Sequence, residues 1–104
     1  MSVANTFETL KQNFNADAAA GLDLVFQFNI EDDQNYYLAI KDSNCTMASG
    51  DHDDPSVTLI MNSETLKGIV SGETNGMQAF MAGQLRAEGD MMLATKLGEL
   101  FSID

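Results

Sequence analysis

The spacing of apolar residues predicts an α+β protein: a mainly antiparallel five-stranded sheet with helices covering one face. Three observations carry this expectation. Leu22, Leu24, Phe26, Phe28 and Ile30 alternate with Asp23, Val25, Gln27 and Asn29, the side-chain period of a strand with one buried face. Further strand-like runs follow through short polar turns, which suits antiparallel neighbours. Apolar stripes at helical spacing flank the strands near both ends of the chain.

The first stripe is Phe7, Leu10 and Phe14, with Asn5 and Glu8 reading as a capping-box-like start. Ala18 to Gly21 closes that unit, and the first strand follows. Glu31 to Asn35 is a polar turn, after which Tyr36, Leu38 and Ile40 restart the alternation as the second arm of a hairpin. Asp42-Ser43-Asn44 makes another turn into a weak strand around Cys45 to Ala48. Gly50 to Pro55 reads as a charged hairpin loop, and Val57, Leu59 and Met61 alternate as the fourth strand. Ser63 is the expected cap of a helix with Leu66, Ile69 and Val70 on its stripe, ending at Gly72. Glu73 to Gly76 connects to a short apolar helix turn carrying Met77, Phe80 and Met81. That turn stops at Gly83; Leu85 and Ala87 point inward and Arg86 and Glu88 outward up to Gly89. Asp90 then caps a last helix with Leu93, Leu97, Leu100 and Phe101 on one stripe.

The chain has 104 residues, expected to form one domain (1–104) with one modest core, and 44% of them are hydrophobic. Net charge is −11, from sixteen acidic and five basic residues, a surface that repels phosphate backbones and argues against nucleic acid as a partner. No polybasic cluster exists to hold an anionic membrane, which leaves room for transient membrane contact only. Cys45 is the single cysteine, so neither an internal disulfide nor a thiolate metal cage is expected. No apolar run approaches membrane-spanning length and the first residues lack a secretory core. The ending Phe-Ser-Ile-Asp is not a peroxisomal address, so a cytoplasmic location is expected.

Little in the sequence suggests chemistry. Asp51-His52-Asp53-Asp54 is the one place to look for a metal, but four adjacent loop residues cannot all face one ion. Their plainer reading is a solvated loop that blunts a strand edge with charge. A nucleophilic enzyme would need Cys45 or a serine beside an oriented histidine, and the only histidine lies in that loop. The glycines show no phosphate-cradling spacing. No catalytic, metal or cofactor site is therefore expected. Met77, Met81, Met91 and Met92, with Met47 and Met61 on strands, are the remaining signal. On pattern alone they read as core filler, although thioethers also suit adaptable apolar binding surfaces.

The ordered set running from Pro55-Ser56-Val57-Thr58-Leu59 through Gly72, Ala79-Phe80, Gly83 and Gly89-Asp90 to Ala94, Lys96 and Leu97 resembles the sterol carrier protein type 2 family. The resemblance extends from Phe7 to Phe101. It implies an apolar tunnel between sheet and helices, and an intracellular lipid-binding or transfer protein that holds fatty acid, fatty acyl-CoA or similar amphiphiles. Phe26, Phe28, Leu38, Ile40, Leu59 and Met61 would form the floor; Leu66, Ile69, Met77, Phe80, Met81, Leu93, Leu97 and Phe101 would form the roof. Animal members often place Gln before the glycine that matches Gly83; Ala82 stands here, which shifts the expected ligand from hydroxyl-bearing sterols to acyl chains. The rival reading is a non-catalytic interaction or dimerisation module with a filled core, of undetermined oligomeric state.

Overall fold

The computed structural model describes residues 3–90, 92, 93, 96, 100 and 101. Their apolar alternation builds a sheet of β1 (Leu24–Ile30), β2 (Tyr36–Lys41), β3 (Asn44–Ser49), β4 (Val57–Met61) and β5 (Arg86–Gly89), in the order β3-β2-β1-β4-β5. Antiparallel β1 and β2 set Leu24 opposite Ile40, Phe26 opposite Leu38 and Phe28 opposite Tyr36. Antiparallel β2 and β3 add Met47 beside Leu38 and Cys45 beside Ile40. Residues of one parity therefore share one face across the strands, as the pleat requires.

One pairing differs from the sequence expectation of consecutive hairpins. β4 does not return beside β3; it crosses to β1 and pairs in parallel, with Phe26 opposite Val57, Phe28 opposite Leu59 and Ile30 opposite Met61. The segment Gly50 to Ser56 is thus a crossover rather than a hairpin loop. Gln27, on the face opposite to Phe26 and Phe28, anchors it. The Gln27 side-chain amide donates to the Gly50 carbonyl (3.1 Å) and to Asp51 Oδ1 (3.3 Å), while its Oε1 accepts from the His52 N–H (2.8 Å). Ser56 closes the crossover: its Oγ accepts from the Val25 N–H at 3.1 Å and its N–H donates to the Val25 carbonyl at 2.9 Å. The His52 ring packs edge-on to Tyr37 at 5.1 Å.

β5 completes the sheet antiparallel to β4, setting Ala87 opposite Leu59 and Gly89 opposite Val57. Gly89 is fitted to this place twice over. Its φ of 99° lies in the left-handed region, and a Cβ there would come within 3.0 Å of the Ser56 carbonyl oxygen.

The helices cover the face of Phe26 and Phe28. α1 (Val3–Gln12) starts two residues before the expected Asn5 cap and buries Val3, Thr6, Phe7 and Leu10. The Phe7 ring meets Phe28 edge-on at 5.1 Å and Tyr36 at 4.7 Å. α2 (Ser63–Ser71) buries Thr65, Leu66, Ile69 and Val70 and ends at Gly72, φ 85°. Its cap is Asn62, not the expected Ser63: Asn62 Oδ1 accepts from the Thr65 N–H at 2.8 Å. Ser63 instead donates its N–H and hydroxyl to the two Asp32 carboxylate oxygens, 2.7 Å each. These bonds hold the Asp32 carboxyl below its ordinary range. α3 (Gly76–Met81) is capped by Asn75, which accepts from Met77 and Gln78. Asp90 opens the last helical segment, as the sequence suggests, by accepting from the Met92 N–H at 3.0 Å. Phe101 returns to the N-terminal unit through a bridge and a tilted ring contact of 5.6 Å with Phe14.

Replacing Gln27 by Ala would strand the Gly50 carbonyl and the His52 N–H beneath the crossover. The free energy of unfolding is expected to fall by about 2–4 kcal/mol, measured by urea denaturation. A loss under about 0.5 kcal/mol would show that the crossover is held by other contacts.

Candidate functional site

Period-two alternation places the expected floor residues on one face, and the helices close over them. Phe26, Phe28, Leu38, Ile40, Leu59 and Met61 are at most 2% exposed, so they meet other side chains rather than open space. Of the expected roof, Leu66, Ile69 and Phe101 join the same core, with Leu93 half-buried against it. Met77, Phe80 and Met81 do not: they face outward, 58%, 40% and 81% exposed. Leu97 and Met91 lie outside the described residues.

The reason for the outward turn is local. α3 rests on the body of the protein through Ala79, its only buried residue. The Gln84 and Leu85 N–H groups both donate to the Ala79 carbonyl, at 2.9 and 3.2 Å, which turns the chain sharply from the end of α3 towards β5. Between that turn and the sheet lies an open groove of about 370 Å³, lined by Ile60, Phe80, Gly83, Leu85, Arg86, Ala87 and Glu88. Only Phe80 of these figures among the expected site residues. Leu85 and Ala87 carried a signal, their inward parity on the fifth strand. Ile60 carried none, because it lies on the opposite parity of β4 from Leu59 and Met61.

Phe80, Leu85 and Ala87 make the groove apolar on one side, while Ile60 lies beside charged Arg86 and Glu88 on the other face of the sheet. Arg86 Nη2 sits 3.4 Å from Glu31 Oε2, with both side chains more than half exposed. Such a pair contributes little to stability and leaves the guanidinium exchangeable. Asp51 accepts from Gln27 and from the Asn35 side-chain amide (2.8 Å), and the Asp54 N–H donates to His52 Nδ1 (3.0 Å). These contacts make the acidic segment a structural strap on the sheet. Among the described residues no group of three His, Cys, Asp or Glu side chains is placed to hold a metal ion. No helix among them is long and apolar enough to cross a membrane. Half-buried Cys45 has its thiol pushed up to about 11 by burial, with the Lys11 charge opposing.

The SCP-2 sterol transfer family model matches residues 4–102, nearly all of the chain. The chain belongs to that family. It is 29% identical over 104 residues to hydroxysteroid dehydrogenase-like protein 2 of Bos taurus, covering 97% of this chain and 25% of that one. The chain thus spans about a quarter of the length of that dehydrogenase-like relative. Among solved structures, palmitated SCP2L2 from Aedes aegypti superposes with a TM-score of 0.77 at 26% identity, covering 95% of this chain and 93% of that one. The sec-alkylsulfatase Pisa1 from Pseudomonas sp. superposes at a TM-score of 0.87 with 21% identity, covering 97% of this chain but 16% of the sulfatase. The last likeness is one of fold.

A thiol with a raised pKa stays neutral through pH 8, and the thiolate is the reactive form. Cys45 is therefore expected to react with iodoacetamide at pH 8 at least about tenfold more slowly in the folded chain than in urea. Equal rates would place the thiol in solvent.

Proposed function

We propose that this SCP-2 domain is a lipid-binding unit of residues 1–104 that takes a fatty acid, a fatty acyl-CoA or a similar amphiphile. The observation that carries the reading is the groove beside β5. It wraps the edge of the sheet, from Ala87, which stands opposite Leu59 on the buried face, to Ile60, Arg86 and Glu88 on the other face, so an apolar tail lying there would start at the border of the buried face. A volume of about 370 Å³ falls within the roughly 300–1,000 Å³ of small-molecule sites. The remaining length of a long tail would run under α3, where Ala79 alone holds the roof. Membership of the SCP-2 family and the likeness to a palmitated relative support the same ligand class.

The energetics suit a carrier. Burying a sixteen-carbon chain at about 0.8 kcal/mol per methylene gives roughly 12 kcal/mol gross. Ordering the ligand removes about a third of that, leaving roughly 8 kcal/mol and an affinity near micromolar. The site needs no directed hydrogen bond for this, and Arg86 at the groove offers a cation to an acidic headgroup. The role is binding and transfer rather than catalysis, in the cytoplasm. A dehydrogenase or other enzymatic partner segment, as in the longer relatives, would then be served by this domain without lending it residues.

Delipidated protein titrated with a fluorescent sixteen-carbon fatty acid is expected to saturate near micromolar. Ala87→Phe, which fills the groove from an edge strand, is expected to weaken that binding at least about fivefold while the melting temperature stays within about 3 °C. Absence of saturable uptake by the unaltered chain would refute the carrier reading.

A further inference from the structure

The groove beside β5 has two unlike ends. Phe80, Leu85 and Ala87 line it towards the buried face of the sheet, and Arg86 and Glu88 stand on the other side of the edge strand. An amphiphile has the same polarity, so its orientation follows: tail towards Phe80 and Ala87, head beside Arg86. Arg86 is the one cation among the described lining residues. Its partner Glu31 is placed by the sheet. The Glu31 N–H donates to the Met61 carbonyl at 2.9 Å, and Met61 follows Ile60, which stands opposite Arg86. That brings Glu31 Oε2 to 3.4 Å from Arg86 Nη2. Neighbouring Asp32 is engaged elsewhere, since Ser63 donates to both of its carboxylate oxygens. Glu31 therefore stands where the carboxylate of a ligand would stand, in an exposed pair that is easily exchanged.

We propose that Arg86 selects amphiphiles whose head carries a single negative charge, a carboxylate above all, and that Glu31 is an internal competitor which such a head displaces. The proposal deepens the carrier reading and rests on it. A tail held in the groove keeps its head beside Arg86 at high effective concentration, which lets it win against Glu31. A head with several phosphate charges fares worse. One guanidinium answers one charge, and the others face Glu31, Glu88 and a chain of net charge −11. An uncharged head gains nothing from Arg86 and leaves the Glu31 pair intact.

Hexadecanoic acid, hexadecanol and the coenzyme A thioester of the same acid are each titrated against an uncharged fluorescent probe bound to the full chain, at neutral pH and low salt. Glu31→Gln and Arg86→Gln are titrated beside it, with melting temperatures as the check on folding. The readout is the ratio of acid to alcohol affinity in each protein. Arg86→Gln is expected to lower that ratio about two- to fivefold, and Glu31→Gln to raise it by a similar factor. Added salt is expected to improve thioester binding relative to the acid, because screening relieves repulsion. A ratio unchanged in Arg86→Gln, or lowered in Glu31→Gln, would overturn the proposal and leave the carrier reading standing, since the ligands would still bind. Thioester binding that weakens as salt is added would also overturn it, by revealing attraction where repulsion is required. Failure of all three ligands to displace the probe would remove the carrier reading, and the proposal with it.

Discussion

Pairing β4 with β1 in parallel puts Val57, Leu59 and Met61 in line with Phe26, Phe28 and Ile30, and most of the molecule follows from that seam. A parallel neighbour cannot be reached by a tight turn, so the chain must cross the sheet between β3 and β4. The crossover takes the outer face and needs a polar anchor there, which Gln27 supplies. With β1 at the centre and β4 beside it, β5 can add only at the far edge, opposite to β3. The apolar face is then continuous from Met47 to Ala87, wider than one helix can cover. Among the described residues α1, α2, α3 and the segment carrying Leu93, Leu100 and Phe101 share the work.

They share it unequally. α1 contributes Val3, Phe7 and Leu10 and α2 contributes Leu66, Ile69 and Val70, each fully buried apolar side chain stabilising by about 1.5–3 kcal/mol. α3 contributes Ala79. The roof is therefore tightly bound over β1 and β2 and lightly bound beside β5. Regions that open most readily are those with few buried apolar contacts. A lipid tail that separates the two layers meets least resistance where the groove already lies. The closed packing at Phe26 and Leu38 and the open groove at Ala87 are two ends of the same sheet, one filled by the protein's own side chains and one not.

Much of this was legible in the sequence. The inner face of β1, β2 and β4 declared itself because residues with only one buried side must alternate. Gly72 and Gly89 marked real breaks because left-handed dihedrals leave few other choices. The parallel seam was not legible, since strand partners across a long connection are chosen by the whole sheet and not by a local pattern. Gln27 stood at a polar position and read as solvent-facing, yet it is 3% exposed beneath the crossover. The helix cap fell on Asn62 beside the equally plausible Ser63, which Asp32 had already engaged. Met77, Phe80 and Met81 form a genuine helical stripe. A stripe does not reveal which side of a helix meets the sheet when a small residue such as Ala79 can make the contact instead.

The central claim is that an acyl guest completes the interior beside β5. Native mass spectrometry of the chain purified without delipidation tests it most directly. The account requires a non-covalent adduct with the mass of a fatty acid or related acyl lipid, stripped at modest collision energy to leave the bare chain. A bare chain from the outset, or a defined multimer free of lipid, would contradict it.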